Sequence, residues 1–150
     1  MSAKADPPVF YDLDGAPLDL GLGRLLEAAL AEGRRVCVRL GQEERVTVLD
    51  QGLWTYRNDS FLPHGCEGDP AEHPVWLTAA AGNPNAADLL VLVDDAPLDG
   101  REGFAGTAYL FDRRDPAMRD IARDRFAAFR DEGSRPVYLR FGPQGWPQSE

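Results

Sequence analysis

Short apolar runs bounded by Gly, Pro and Asp punctuate this chain, and between several of them the apolar residues recur at helical rather than strand spacing. Val9 to Leu13 reads as a strand. Leu18, Leu22, Leu25, Leu26, Ala29 and Leu30 then repeat along one helical face until Gly33 stops them. Val36 to Leu40 is a second strand. Gln42 to about Leu53 reads as a second helix with Val46, Leu49 and Leu53 inward, although Val46, Thr47 and Val48 lower its intrinsic propensity. From Thr55 to Pro74 prolines, glycines, both histidines and several acids predict a long surface loop. Val75 to Thr78 and Leu89 to Val93 are strands whose connection, through Gly82 and Pro84, is too short for the helical crossover that parallel neighbours usually need, which predicts an antiparallel pair. The run LLVLV has no polar alternation, the mark of a strand covered on both faces. Ala108 to Phe111 is another strand, a helix follows from Asp115 to Gly133, and Val137 to Phe141 completes the sheet before a loosely ordered tail, about 142–150, that contains Trp146. The order β, α, β, α, β, β, β, α, β predicts a single α/β domain over residues 1–150, a three-layer α/β/α sandwich with a mixed, mostly parallel sheet.

The helix from Asp115 to Gly133 sorts its residues by chemistry. Asp115 suits the N-cap, Pro116 the first turn and Gly133 the position just past the end. At about 100° per residue, Arg119, Arg123, Phe126 and Arg130 fall in one stripe, and Asp120, Asp124 and Asp131 gather on another. Met118, Ile121, Ala122, Ala128 and Phe129 form the apolar face that docks on the sheet. Arginines on a helix usually make a solvated face with i,i+4 support. An aromatic residue inside the basic stripe, with the aspartates set apart, suits instead a reader of acidic peptides that end in an aromatic ring. Arg125 is the misfit: it lies in the apolar face, and needs a buried carboxylate or a rim position.

Composition narrows the classes. The 150 residues, 43% hydrophobic, suffice for a real core without metals or disulfides, and no cofactor is expected. Cys37 in a strand and Cys66 in a loop resemble neither a disulfide framework nor a metal knuckle. No apolar run approaches the ~18 residues of a membrane span, and MSAKADPP lacks the apolar core of a signal peptide, so a cytoplasmic protein is expected. The net charge of −9 argues against general nucleic-acid binding. It is unevenly spread: residues 1–112 carry 8 basic and 19 acidic side chains, whereas 113–150 carry 8 and 6. Every cation after Lys4 is an arginine, the residue suited to carboxylate forks, and an acidic partner is steered to the C-terminal quarter.

Three constellations could carry chemistry. VFYDLDG at residues 9–15 resembles the first motif of haloacid dehalogenase-like phosphatases, in which Asp12 would be the nucleophile and Asp14 the acid and base, with Asp95 and Asp99 helping to hold magnesium. Against this, the second strand ends in Arg39, Leu40, Gly41 and Gln42 where that family has Ser or Thr, only Arg45 and Arg57 could replace its lysine, and Pro17 interrupts the motif. Acidic turn residues account for the pattern better. His64, Cys66 and His73 fit no metal spacing and are loop residues, and the lone GxG of Gly21 and Gly23 lacks a dinucleotide fingerprint. Trp54 and Phe61 either fold back on the core or anchor a hydrophobic partner.

LDQGLWTYRNDSFLPHG, residues 49–65, resembles the chi subunits of bacterial DNA polymerase III, with their Leu-Trp, polar spacer and Ser-Phe-x-Pro-His. VFYDL and IARDRFAAFR, residues 121–130, are similar to the same family at matching positions. The resemblance implies a Rossmann-like, non-catalytic accessory subunit that joins the clamp loader to single-stranded DNA-binding protein, whose acidic tail ends in aspartates, proline and phenylalanine. It implies that Arg123 and Phe126 receive that tail, with Arg119 and Arg130 beside them, and that Trp54 and Phe61 face a second partner, the psi subunit. Ala127 stands where familiar members carry a lysine, a positive contact that Arg119 or Arg135 could replace.

Overall fold

A computed structural model describes residues 7–56 and 62–147. Its elements follow the expected order: β1 (Val9–Asp12), α1 (Leu18–Ala31), β2 (Val36–Arg39), α2 (Glu43–Thr55), β3 (Val75–Thr78), β4 (Leu89–Val93), β5 (Gly106–Phe111), α3 (Pro116–Asp131) and β6 (Val137–Arg140). The strands form one sheet in the order β3-β2-β4-β5-β1-β6. β4 lies inside it with all five residues buried, as its unbroken apolar run requires, while the edge strand β6 alternates between half-buried and exposed residues.

The α/β class holds, and the layering is three deep. Leu22, Leu25 and Leu26 of α1 and Val46, Leu49 and Leu53 of α2 pack on Val36, Val38, Leu77, Val91 and Leu110. The alternate residues of the same strands, Phe10, Cys37, Leu90, Leu92, Tyr109 and Phe111, face the other way and meet Ala122 and Phe129 of α3. Gly21 and Gly23 serve this packing. A Cβ on Gly21 would lie 2.2 Å from a methyl carbon of Leu13, and one on Gly23 would lie 2.5 Å from the Tyr56 ring.

Two expectations about the sheet are corrected. Every strand pairing is parallel, so the sheet is not mixed. β3 and β4 are not partners; they flank β2, with Val36 in register with Val75 on one side and Leu89 on the other. The chain makes this crossover without a helix because side chains take over the polar bookkeeping of its backbone. Asn85, 1% exposed, donates to the carbonyls of Val36 and His73, and Asn83 bonds both the N–H and the C=O of Ala87. Arg39 adds a 3.5 Å contact to the carbonyl of Gly82. Length rules for crossovers assume that the connection must supply its own helical hydrogen bonds.

The loop before β3 is not wholly superficial either. Leu62 and His64 are buried, and Gly65 joins the sheet edge, accepting from Leu77 N and donating to Val75 O. Trp146 joins the segment after β6 to the rest of the molecule. It donates from Nε1 to the carbonyl of Gly21 at 2.8 Å and packs edge-on against Tyr11 and Phe141.

The two thiols differ in environment. Cys37 is fully buried within the sheet, where desolvation pushes its pKa up to about 11, while Cys66 is only partly covered. Since the thiolate is the reactive form, a disulfide reagent at pH 8 is expected to label the native protein at Cys66 and to reach Cys37 only on unfolding. Equal labelling rates, followed by mass spectrometry, would mean that the sheet opens far more readily than its packing indicates.

Candidate functional site

Helix α3 begins and ends where its sequence dictates. Asp115 accepts from Ala117 N at 3.1 Å and from Met118 N at 3.5 Å, Pro116 opens the first turn, and Gly133 follows the last turn with φ +90°. The face it docks is rotated from the one expected. Ala128 is exposed, and Arg125 occupies the docked stripe with Met118, Ala122 and Phe129. Among the described residues no carboxylate pairs with Arg125. One terminal nitrogen donates to the carbonyl of Ala96 at 2.9 Å, the guanidinium lies 5.7 Å from the centre of the Tyr109 ring, and burial lowers its pKa.

That rotation brings Phe126 to the border between core and solvent. It is half-buried, its ring edge-on to Phe10 with centroids 5.2 Å apart, and Phe10 in turn stacks on Tyr109 with centroids 4.6 Å apart. Beside it opens a groove of about 380 Å³. Arg119, Arg123, Phe126, Ala127 and Arg130 of α3 form one wall; Phe10, Phe111, Arg113 and Tyr138 form the floor and the other wall. All four residues read from the helix stripe therefore line one concavity, and Arg135 does not. The segregation of the aspartates is incomplete: Asp120 lies 3.5 Å from Arg119 and 3.9 Å from Arg123. These are exposed contacts, worth little in water, and Arg130 has no ionic partner among the described residues. The groove thus offers an aromatic base under a rim of arginines, a form suited to an apolar ring carried on an acidic chain.

Sequence reasoning missed Phe10, Phe111, Arg113 and Tyr138 as groove residues. They come from β1, from β5 and the turn after it, and from β6, which meet only because β1 sits between β5 and β6. Strand order carries no local signal, so only the double arginine after Phe111 hinted at this wall.

The acids of the DLDG stretch have another role. Asp12 is 0% exposed; its carboxylate accepts from Asp14 N at 2.9 Å, from Arg113 N at 3.1 Å and from the Tyr138 hydroxyl. Asp14, with φ +49°, lies 3.1 Å from Arg113, 3.5 Å from Arg114 and 4.0 Å from Arg140. The Asp12 carboxylate thus staples the turns after β1 and β5 to β6. Asp95 is exposed, and Asp99 acts through its main chain, where its carbonyl accepts from Arg39. Among the described residues no group of three or more His, Cys, Asp or Glu side chains could hold a metal ion.

A second surface lies on the opposite face of the sheet. Trp54, at the end of α2, is 45% exposed, and its ring sits 4.4 Å from that of buried His64. The His64 ring nitrogens face the carbonyls of Leu62 and Asp50 at 2.7 and 3.0 Å, which fixes the loop under the tryptophan. Phe61, expected beside it, lies outside the described residues.

The chain is similar to known proteins. Residues 8–136 match the family model described as DNA polymerase III chi subunit, HolC. The chain is 35% identical over 111 residues to DNA polymerase III subunit chi of Pseudomonas aeruginosa, covering 73% of this chain and 77% of that one. It is 32% identical over 72 residues to a probable DNA polymerase III subunit chi of Rickettsia prowazekii, covering 47% and 44%. It is 26% identical over 106 residues to DNA polymerase III subunit chi of Haemophilus influenzae, covering 67% and 72%. A match that runs from residue 8, ahead of β1, through the helix that lines the groove to residue 136 places this chain in the DNA polymerase III chi subunit family.

Proposed function

We propose that this protein is a non-catalytic accessory subunit of the polymerase's clamp-loader complex, and that its α3 groove holds the acidic C-terminal tail of single-stranded DNA-binding protein. The observation that carries this reading is the convergence of Arg119, Arg123, Arg130 and Phe126 on one groove floored by Phe10 and Phe111. The tail's terminal phenylalanine enters among the aromatic rings, and its aspartates pair with the arginines on the rim. Contact with nucleic acid is then indirect, as the net charge of −9 favours. Trp54, with Phe61, serves a psi subunit or an equivalent clamp-loader component. Its position on the far face from α3 lets both partners be held at once. Among the described residues no helix is long and apolar enough to cross a membrane, and the proposed partners work in the cytoplasm.

Calorimetry with a short peptide of aspartates ending in Pro-Phe tests the reading. Micromolar binding that weakens with salt and is lost without the phenylalanine is expected. Arg123→Ala is expected to weaken it by about 1.5–3 kcal/mol, the range for hydrogen bonds between charged groups. No binding by the wild-type protein, or the same affinity with and without the phenylalanine, would remove the tail from this groove.

A further inference from the structure

The groove has two unlike walls. Three of its arginines stand on α3, and the one remaining cation among the described lining residues, Arg113, comes from the turn after β5 and faces them across the aromatic floor. Its backbone N–H is held by the fully buried Asp12 carboxylate at 3.1 Å, and its Nε lies 3.1 Å from Asp14 and 3.8 Å from Asp12. Each of these side-chain contacts is made through Nε. The two terminal nitrogens have no acceptor among the described residues, and the side chain remains 46% exposed. Asp14 does not neutralise Arg113 alone, because Arg114 and Arg140 share it.

A long side chain normally loses rotamer freedom when it binds. Here two carboxylates already restrain the stem and one edge of the guanidinium, while the end that can fork onto a carboxylate is left open. We propose that Arg113 is a fourth arginine of the peptide site, preset by Asp12 and Asp14 to take a carboxylate on the side away from α3. It rests on the reading of the groove as an acidic-tail site. A ligand seated on Phe10, Phe111 and Phe126 is then gripped between two basic walls rather than laid along one. Carboxylates on both sides of the bound backbone are recognised, so the site selects a run of acids before the terminal ring over a single acid.

The neighbouring Arg114 supplies the control. It carries the same charge, is 68% exposed and does not line the groove. In calorimetry with the aspartate peptide ending in Pro-Phe, Arg113→Ala is expected to lower affinity about five- to tenfold and Arg114→Ala less than about twofold, with the difference shrinking at high salt. Arg113→Lys, which keeps the charge but not the fork, is expected to recover only part of the loss. Thermal unfolding of each variant separates a binding defect from a folding one, and the lysine variant serves if the alanine variant does not fold. Arg113→Ala and Arg114→Ala giving the same small change would show that Arg113 contributes only to the general field, and would overturn the proposal. Loss of binding in Arg123→Ala with none in Arg113→Ala would leave the tail site standing and remove Arg113 from it. A wild-type protein that does not bind the peptide would remove both.

Discussion

Replacing Arg39 with alanine is expected to destabilise the protein by about 3–5 kcal/mol, combining unpaired buried acceptors with a large cavity. Arg39 ends β2 with 0% exposure and, among the described residues, with no carboxylate in ion-pair range. Its guanidinium donates to the carbonyls of Pro97 and Asp99 at 2.7 and 2.8 Å and reaches that of Gly82, while Nε finds no partner among the described residues. One side chain thus satisfies the backbone of two loops, the helix-free crossover between β3 and β4 and the segment after β4. Arg39→Met separates the two costs, because it fills most of the volume and donates nothing. Denaturant midpoints are expected to rank wild type above Met and Met above Ala. A methionine variant as stable as wild type would mean that desolvating the guanidinium cancels everything its hydrogen bonds contribute, a balance known for other buried charges.

The second large loss is expected at Asp12. Asp12→Ala strands the N–H groups of Asp14 and Arg113 and the Tyr138 hydroxyl, at about 3–4 kcal/mol in total. Asp12→Asn keeps one acceptor oxygen and places an amide where donors already converge, so about 1–2 kcal/mol is expected. The measurement is thermal or chemical unfolding beside a phosphatase assay with magnesium. A catalytic nucleophile shows the reverse signature: turnover in the wild-type protein, abolished in Asp12→Asn at nearly unchanged stability. That outcome would return the carboxylate to a chemical role.

What could be read from the chain divides by range. The span of α3 was legible because Asp115, Pro116 and Gly133 act on their own neighbours, and β4 because five apolar residues in a row need no knowledge of their partners. The pairing of β3 was not, since Asn85 makes the short crossover possible only by bonding carbonyls of β2 and of the loop before β3. Nor was the burial of Arg39, which in VCVRL reads as the polar end of a strand until two loops close over it. In the groove, Arg119, Arg123, Phe126 and Arg130 were accessible to helical geometry and to family resemblance. Arg113 and Tyr138 were not, because the strands that carry them adjoin only through β1. Arg125 does lie in the docked face, as the spacing placed it, because a carbonyl and a ring receive its guanidinium, whereas Ala128, assigned to the same face, is exposed.

The position of β1 also bears on how the chain acquires its structure. β1 lies between two strands that follow it by about a hundred residues or more, with Val9 in register with Ala108 on one side and Val137 on the other. At ribosomal rates of about 5–20 residues per second, its unpaired backbone edges wait seconds for partners, while β2, β3 and β4 can assemble first. Such distant pairings slow folding, and they make Phe10 and the groove it floors among the last parts of the molecule to form. A partner that depends on this groove can engage only a finished subunit.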